Sequence, residues 1–382
     1  MTSSAPRFRP VLIYGAGIHL SGAEKEAVDF AHRMRIPVCP TWAALDLLPS
    51  DDPLCVGSFG THGTRAGNFT VQNATHIQVF GSRLDSKATG TPVESFAPKA
   101  SIVMHDIDQR EIDKFNGRVT GICRDVKESF QNIYAMEPAP QEWLEQIKTW
   151  KTKYPVVKEE YYEEQGVNPY VFISQLSEET PEGTVVCTDT GCAVAWVSQA
   201  WKWKRGQRFI HAFNQTPMGY GLPASVGAAF AGKKVVLITG DGSLMMSIGE
   251  LATVAGHKLP IKIFLLNNQG HGMCRQTQRE WLGSTYPSTS IEGGLTFPEF
   301  RKVALGSGIS KTWAIYTMEK RKEFDTPQEV IQKALECSGP ALVEVTIHPD
   351  HDVIPKVRYG RANHDAHPLL PPEELEEQMC AN

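Results

Sequence analysis

The sequence predicts an α/β protein with two doubly wound parallel-sheet domains. Short apolar runs of strand length end in glycine-containing turns and are followed by amphipathic segments, as in the strand–helix–strand units of parallel sheets. The length of 382 residues suggests about two domains. A stretch rich in Glu, Lys, Pro and Tyr, residues 131–168, separates two sets of such units.

This pattern predicts four parts of the chain. They are a first domain at 1–135, a linker at 136–168 with one amphipathic helix around Trp143 and Trp150, a second domain at 169–348 and a C-terminal arm at 349–382.

Composition excludes several classes of protein. A net charge of −5 and a pI near 6.2 provide no basic field for nucleic acid. No apolar run reaches 18 residues, and the first ten residues are polar, so we expect neither a membrane span nor a signal peptide. The eight cysteines include no C-x-x-C pair. We expect reduced thiols in a cytoplasmic protein, buried in apolar strands at Cys39, Cys123 and Cys187.

The first strand–turn–helix unit carries a glycine pair. Pro10–Tyr14 is an apolar run that ends in Gly15-Ala16-Gly17, and the segment from Ser21 to Arg35 has helical periodicity with Ser21 as its predicted cap. Leu20 stands where a dinucleotide-binding fingerprint has its third glycine. The glycine pair alone is therefore a weak signal for nucleotide binding.

The second domain contains the most informative stretch of the chain. The apolar run 234–239 predicts a buried strand, and Gly240-Asp241-Gly242 follows it directly. Glycines allow a tight turn and a close approach of the backbone to a ligand. Residues 243–257 have the apolar spacing of one amphipathic helix.

A second apolar run, 261–266, leads into Asn267-Asn268-Gln269-Gly270. Two parallel strands joined by one helix bring the turns at their carboxyl ends side by side, so Asp241 and Asn268 are expected to converge. A carboxylate, a carboxamide oxygen and a turn carbonyl suit a hard ion such as Mg²⁺. The alternative is an ordinary strand–helix–strand unit in which Asp241 and Asn268 cap turns.

These residues resemble the signature of thiamine diphosphate enzymes, a GDG followed after one strand–helix–strand unit by NN, as in acetolactate synthase and its relatives. The resemblance implies that Asp241, Asn268 and the carbonyl of Gly270 hold Mg²⁺. It also implies that the first domain is the middle domain of this family and the second is its diphosphate-binding domain.

Two further tracts carry the same resemblance. Asp189-Thr190-Gly191-Cys192 follows an apolar strand and is similar to the family's DxG turn over the cofactor diphosphate. Met218-Gly219-Tyr220-Gly221-Leu222-Pro223 matches its MGxGLP tract. The resemblance implies that Met218 wedges between the cofactor rings and that the carbonyl of Thr216 accepts a hydrogen bond from the 4′-amino group. The alternative for Met218 is a residue that fills a gap in the core.

The residues that the resemblance assigns to the cofactor are Thr190, Gly191, Cys192, Thr216, Met218, Gly240, Gly242, Ser243, Asn268, Gly270, His271, Gly272 and Met273. Met218 and His271 are the catalytic candidates. His271 is a candidate for proton transfer, and the alternative is a polar surface residue in a loop. Acetolactate synthases have a tryptophan where this chain has Thr277, so the substrate pocket is expected to differ.

The first domain resembles the middle domain of acetolactate synthase-like enzymes in the tracts RPVLIYGAGIHLSGAE, GSFGTHGT, GSRLDS and APKASIVMHDIDQREI. Some of these enzymes bind FAD there. The FAD candidates by resemblance are Gly15, Gly17, His62, Gly63, Arg83 and Asp106. The family's Arg-Phe-Asp-Asp-Arg is Arg83-Leu84-Asp85-Ser86-Lys87 in this chain, so an empty, structural middle domain is the alternative.

The resemblance implies a thiamine diphosphate- and Mg²⁺-dependent carboligase that decarboxylates a 2-oxo acid and transfers the acyl carbanion to an acceptor. In the family the catalytic glutamate lies in a separate pyrimidine-binding domain. Since the matching tracts start at the middle domain, we expect a partner subunit to supply this glutamate, in a heterotetramer with two copies of each chain. An excised fragment and a degenerate relative without turnover are the alternatives.

Two other functions stay open at this point. The first is a non-oxidative 2-oxo acid decarboxylase or lyase of the same family. The second, from another class, is a non-catalytic nucleotide-binding regulatory module built on the Gly15 turn.

Overall fold

The computed structural model describes residues 8–133, 136–318 and 325–379. The chain forms two compact units. Unit 1 is Met1–Pro155 together with Ile354–Asn382, and unit 2 is Val156–Val353.

The core of unit 1 is a five-stranded parallel sheet. Its strand order is β2-β1-β3-β4-β5. All strands are parallel, but β2 is added on one side of β1 and β3 to β5 are added on the other side. Alternate residues of β1 enter two apolar cores, with Val11 and Ile13 in one and Leu12 and Tyr14 in the other. The strands are β1 (Pro10–Tyr14), β2 (Val38–Pro40), β3 (His76–Phe80), β4 (Ser101–Asp106) and β5 (Thr120–Cys123).

Seven helices of unit 1 precede residue 155 in the described part of the chain. They are α1 (Gly17–Leu20), α2 (Glu24–Met34), α3 (Arg65–Asn73), α4 (Ser86–Thr89), α5 (Gln109–Asp113), α6 (Val126–Asn132) and α7 (Gln141–Lys153). The predicted cap at Ser21 is wrong, because α1 ends there and Gly22, with φ +61°, separates it from α2.

The helix predicted around Trp143 and Trp150 is α7, and it packs within unit 1. Both indole rings are buried. The Trp143 Nε1 donates to the Pro10 carbonyl at 3.2 Å, and the Trp150 Nε1 donates to Gln378 Oε1 at 3.0 Å. Hydrogen bonds satisfy the polar ends of both rings, which permits their complete burial.

Unit 2 is built on a six-stranded parallel sheet with the order β10-β11-β9-β8-β6-β7. Together with unit 1, it confirms the predicted α/β fold with two parallel sheets. The strands are β6 (Val185–Thr188), β7 (Arg208–Ile210), β8 (Val235–Gly240), β9 (Ile261–Asn267), β10 (Thr312–Ile315) and β11 (Ala341–Thr346).

The described helices of unit 2 connect these strands. They are α8 (Pro169–Glu179), α9 (Cys192–Ala200), α10 (Gly221–Phe230), α11 (Asp241–Ser247), α12 (Glu250–Gly256), α13 (Gly272–Trp281), α14 (Phe300–Gly306) and α15 (Pro327–Glu336). The single helix predicted over 243–257 is wrong. The segment is divided into two helices at Ile248-Gly249, where backbone hydrogen bonds join residues three positions apart. The Leu251 N–H donates to the Ile248 carbonyl, and the Ala252 N–H donates to the Gly249 carbonyl. Glycine has a low helix propensity, which accounts for a break at this point.

The C-terminal segment of unit 1 is more regular than the predicted arm. It contains β12 (Lys356–Val357) paired antiparallel with β13 (Ala366–His367), and then α16 (Pro372–Gln378). The Val357 N–H donates to the Thr61 carbonyl at 2.7 Å, and Asn73 Nδ2 donates to the Gln378 carbonyl at 3.0 Å.

Two predictions from composition can be compared with the fold. None of the described helices is long and apolar enough to cross a membrane. Cysteines 39, 55, 123, 187, 192, 274 and 337 are free thiols. Cys39 and Cys187 are buried as predicted, but the prediction for Cys123 is wrong, because it lies exposed at the end of the edge strand β5.

Candidate functional site

The candidate site lies at the carboxyl edge of the sheet in unit 2. The chain runs from β6 to β7 on one side and then returns to β8 on the other side of β6. The loops after β6 and β8 therefore diverge to opposite faces and leave a crevice between them. The turn at Asp189–Gly191 follows β6, and Gly240 and Asp241 stand where β8 ends.

Asp241 faces the turn that follows β9. Its Oδ2 accepts a hydrogen bond from the Gly270 N–H at 3.2 Å, and its Oδ1 accepts one from the Gly242 N–H at 2.6 Å. The carboxylate is 1% exposed. Burial raises its pKa to about 6, and hydrogen bonds from the backbone of Gly242 and of the Asn268–Gly270 turn oppose that rise. The structure thus brings Asp241 and the predicted Asn268–Gly270 turn together.

Asp241 and the groups around it form a set of possible metal ligands rather than an ion pair. Asp241 has no salt bridge within the described residues, so its negative charge is uncompensated at neutral pH. Asn268, in the facing turn after β9, is also buried. Within the described ranges, no group of three His, Cys, Asp or Glu side chains is placed to hold a metal ion. One carboxylate with carboxamide and carbonyl oxygens suits Mg²⁺, which keeps positions for water and phosphate oxygens.

Two glycines bring the predicted cofactor residues into close contact. A Cβ added to Gly242 would lie 2.5 Å from His271 Nδ1 and 3.1 Å from Met218 Cε. A Cβ added to Gly272 would lie 2.6 Å from Asn268 Nδ2. A side chain at either position would displace these neighbouring side chains, and Gly242, Met218 and His271 form one contact group.

The Gly272 contact also includes the first residue of α9. The Cys192 Sγ lies 3.0 Å from the Cβ position of Gly272. The helix after β6 and the helix after β9 therefore meet at the site.

His271 is held neutral in this group. It is half-buried, and burial lowers the pKa of its imidazole below the ordinary value. A neutral imidazole has one nitrogen that accepts a proton and one that donates it. The ring is thus chemically able to exchange protons with a group bound beside Met218.

The MGxGLP tract is attached to the turn after β6 through one carboxylate. Asp189 Oδ1 accepts from the Gly219 N–H at 3.0 Å, and Oδ2 accepts from the Gly221 N–H at 2.9 Å. Oδ1 also accepts from the Thr190 N–H at 2.9 Å. Asp189 was missed as a site residue. The signal was present, because Asp189 directly follows a buried strand, as Asp241 does.

The backbone before Met218 is strained. Thr216 has φ +45°, which is uncommon for a residue with a branched side chain, and its N–H donates to the Ala212 carbonyl at 2.7 Å. Met218 follows with 38% of its surface exposed. Strain of this kind is often stored where a chain must present a group to a ligand.

Open space lies above two of the predicted glycines. A Cβ added to Gly191 or to Gly240 would meet no described atom within 4 Å. No side chain of the described residues caps the N-terminus of α9, whose N-cap is Gly191. Free N–H groups at a helix start attract phosphate oxygens. The residues present therefore fit a diphosphate with its metal ion.

The remaining predicted site residues occupy neighbouring positions. Ser243 is buried in the first turn of α11, and Met273 is half-buried in the first turn of α13. Thr277 lies further along α13, where it is exposed and its Oγ1 donates to the Met273 carbonyl at 3.1 Å. Thr277 thus belongs to the helix that begins at the site.

A loop from 283 to 295 lies on the turn that carries Gly270. Gly270 and Ser290 form an antiparallel bridge, and the His271 N–H donates to the Thr289 carbonyl at 3.0 Å. The guanidinium of Arg275 lies 5.2 Å from the ring centroid of Tyr286 in the same loop. This loop covers the backbone of the turn.

The glycines proposed for FAD in unit 1 have a different environment. A Cβ added to Gly15 would lie 2.4 Å from the Gly81 carbonyl oxygen, and one added to Gly17 would lie 2.6 Å from the Gly81 Cα. A Cβ at Gly63 would lie 2.4 Å from the Phe59 backbone. Packing of the chain on itself thus accounts for these glycines without a ligand.

The other FAD candidates are a histidine and two charged residues. His62 is half-buried as a residue, its Nε2 is buried without a hydrogen-bond partner in the described residues, and desolvation with the charges of Lys356 and Lys87 lowers its pKa to about 4. Arg83 is exposed and pairs with Asp85 at 3.2 Å. Partial burial raises the pKa of Asp106, which accepts from the Asp108 N–H at 2.9 Å. FAD binding stays a prediction.

Comparison with known families identifies both units. Residues 6–133 match the central domain of thiamine pyrophosphate enzymes, and residues 189–345 match their C-terminal TPP binding domain. The chain belongs to the thiamine pyrophosphate enzymes. The family resemblance expected from the sequence is therefore confirmed.

Similar thiamine pyrophosphate enzymes include three acetolactate synthases. Acetolactate synthase 2, chloroplastic, of Zea mays is 33% identical over 371 residues, which cover 94% of this chain and 56% of that protein. The large subunit of isozyme 1 of Escherichia coli is 32% identical over 93% of this chain and 61% of its own length. The large subunit of isozyme 2 is 33% identical over 93% and 63%. The chain thus spans less than two thirds of the length of these relatives.

Proposed function

We propose that the chain is the thiamine diphosphate- and Mg²⁺-binding part of an acetolactate synthase-like carboligase. The observation that carries this proposal is the contact between the buried carboxylate of Asp241 and the Asn268–Gly270 turn. When bound, the cofactor supplies a carbon nucleophile that decarboxylates a 2-oxo acid and donates the resulting acyl group to an acceptor. The chain's own residues bind and orient it.

Asp241, the carboxamide of Asn268 and the carbonyl of Gly270 are the proposed metal ligands. The raised pKa of Asp241 supports this role, because a divalent ion beside a buried carboxylate removes the electrostatic cost of its charge. Gly191, Gly240 and the start of α9 would hold the diphosphate oxygens.

Met218 and His271 are the proposed residues at the reacting end of the site. The exposed Met218 side chain would contact the bound cofactor and favour its bent conformation, and the Thr216 carbonyl would accept a hydrogen bond from the cofactor's amino group. His271 contacts Gly242 beside it and would move a proton through its neutral imidazole. Loss of His271 should therefore lower the rate more than the binding of the cofactor.

We further propose that a partner subunit carries the catalytic glutamate on a pyrimidine-binding domain, with two copies of each chain in the complex. The two matched segments are a central and a C-terminal domain, and relatives named as large subunits are longer than this chain. A decarboxylase or lyase without an acceptor is the second candidate. Thr277, in place of the tryptophan of acetolactate synthases, favours a different acceptor pocket.

Cofactor titration tests the proposal. Thiamine diphosphate with Mg²⁺ should raise the Tm of the purified full chain, and neither component alone should reproduce the rise. FAD is titrated in parallel and followed by flavin absorbance. A rise with NAD or FAD alone, and none with thiamine diphosphate and Mg²⁺, would contradict the proposal and favour a nucleotide-binding regulatory module.

The partner is tested by activity. The purified chain with thiamine diphosphate and Mg²⁺ should release no CO₂ from a panel of 2-oxo acids, and addition of a chain that copurifies with it should start the release. Turnover by the single chain would overturn the proposal of a partner but not that of the cofactor.

A further inference from the structure

Lys262 is buried at the amino end of β9, away from the candidate site at the carboxyl end of the same strand. It is 7% exposed, and its neighbours in the sheet are Val236 and Ala341. Its ammonium group donates to the carbonyls of Cys337 and Gly339, the latter at 2.7 Å. In the described part of the chain it forms no ion pair.

The Cys337 side chain is the third partner of this ammonium group. Lys262 Nζ lies 3.3 Å from Cys337 Sγ, and the thiol donates to the Ala334 carbonyl at 3.2 Å. Cys337 is the C-cap of α15, where the helix dipole favours a positive charge. Cys337 as a residue is partly exposed, whereas Lys262 is buried.

Capping of α15 explains the two carbonyl contacts. The same ammonium group is also in direct contact with the Cys337 sulfur, and within the described residues no carboxylate pairs with it. We propose that Lys262 and Cys337 form a redox modification site, in which hydrogen peroxide oxidises the thiol and the lysine nitrogen then bonds to the sulfur.

The first step consumes one peroxide. The sulfur of Cys337 attacks one peroxide oxygen, the O–O bond breaks, and a sulfenic acid and one water form, so that sulfur is oxidised and peroxide is reduced. The ammonium group beside the sulfur stabilises the negative charge that leaves with the second oxygen.

The second step needs no further oxidant. The Lys262 ammonium group loses one proton to solvent, its amine nitrogen attacks the sulfur, the S–O bond breaks, and the hydroxyl leaves as water with a second proton from the nitrogen. The product is an S–N bond between the two side chains. It is lighter than the reduced chain by two hydrogen atoms, and a thiol reductant reverses it.

The crosslink joins residues that are 75 positions apart. Closing a loop of this length lowers the conformational entropy of the unfolded chain, so the crosslinked form should have a higher Tm. The site shares no residue with the predicted cofactor residues. Its success or failure is therefore independent of the proposed function.

Peptide mass spectrometry of the full chain after mild peroxide treatment tests the proposal. We expect a crosslinked pair of peptides that contain Lys262 and Cys337, a higher Tm, and loss of both after treatment with dithiothreitol. With a dimedone probe present, Cys337 should be labelled several-fold faster than Cys123 and Cys274, which are exposed thiols within the described ranges and serve as internal controls.

Two variants separate crosslinking from capping. Lys262→Arg keeps the positive charge and the donors to the carbonyls, so dimedone should still label Cys337 while the crosslinked peptides disappear. Cys337→Ser keeps the cap and should show no rise in Tm with peroxide. An unlinked wild-type chain, a ring closed with the Ser338 backbone nitrogen, or equal labelling of the three cysteines would overturn the proposal.

Discussion

The two units use the same sequence pattern for two different physical purposes. In each, glycines stand directly after a buried parallel strand. In unit 1 the space beside Gly15 and Gly17 is filled by the backbone of Gly81. In unit 2 the space beside Gly240 is open, and Gly242 faces the side chains of His271 and Met218.

This difference limits what a glycine-containing turn predicts. Such a turn indicates that another group approaches the backbone closely, but it does not indicate whether that group is another loop or a ligand. The neighbouring polar residues carry the second piece of information. Asp241 and the turn at Asn268 place oxygen ligands beside open space, whereas the Gly15 turn meets another glycine turn of the same chain.

Exchange of one glycine in each unit for alanine should have opposite outcomes. Gly15→Ala puts a methyl group 2.4 Å from the Gly81 carbonyl oxygen and 2.6 Å from Ser82 Cβ. We expect a loss of about 3 kcal/mol or more in the free energy of unfolding. Gly240→Ala, where φ is −85° and no described atom lies within 4 Å, should keep its stability and weaken the binding of thiamine diphosphate.

Urea unfolding and cofactor titration of the two variants provide the measurement. The distinction between the units would be contradicted if Gly15→Ala had the free energy of unfolding of the wild type, because the close packing would then relax without loss of stability. It would also be contradicted if Gly240→Ala bound the cofactor normally, since the open space would then have no function.

Removal of one carboxylate from each unit sharpens the comparison further. Asp241→Ala should weaken the Mg²⁺-dependent binding of thiamine diphosphate about 100-fold, equivalent to about 2.7 kcal/mol. Asp106→Ala, at the carboxyl end of β4 in unit 1, should leave that binding unchanged. Isothermal titration with Mg²⁺ held in excess measures both, and equal effects of the two variants would remove the distinction between the units.

The buried titratable groups give the units opposite pH dependences. The folded-state pKa of His62 and of His105 is lowered to about 4 from 6.5, so the unfolded chain binds more protons between these values. Their contribution is present above pH 6.5 and is lost as the pH falls through 4. The pKa of Asp241 is raised from 3.8 to about 6, so its contribution is lost as the pH rises through 6.

Each of these groups should change the free energy of unfolding by on the order of 2 kcal/mol across its range. Urea unfolding between pH 4 and 7, without cofactor, measures the slopes. Asp241→Asn should remove the loss of stability with rising pH, and His105→Gln should reduce the loss with falling pH. A pH dependence unchanged from the wild type in either variant would contradict the assignment.

Much of the fold could be predicted because the strands are continuous apolar runs. Buried parallel strands such as β8 and β9 need no alternation, and the turns at their carboxyl ends had to meet at one edge. The GDG and NN turns therefore predict from the sequence alone that Asp241 and Asn268 lie close together.

The rest depends on contacts that a linear pattern does not contain. The role of Asp189 requires the knowledge that β6 lies beside β8, which brings its carboxylate to the N–H groups of Gly219 and Gly221. The break at Gly249 and the exposure of Cys123 depend on local hydrogen bonds and on which strand forms the edge. Tertiary packing decides such features, and it overrides local propensity.

The smallest change in stability is expected for Met218, and it would distinguish a residue that contacts a ligand from one that packs in the core. Met218 is 38% exposed, so Met218→Ala should change the free energy of unfolding by no more than about 0.5 kcal/mol. Met104, fully buried in β4 of unit 1, is the matched control, and Met104→Ala should cost about 2–5 kcal/mol. For the affinity for thiamine diphosphate we expect the larger loss in Met218→Ala, since only this variant removes a side chain from the contact group with Gly242 and His271. A large loss of stability in Met218→Ala would mean that this methionine fills the core, and its proposed role as a wedge would then have no support.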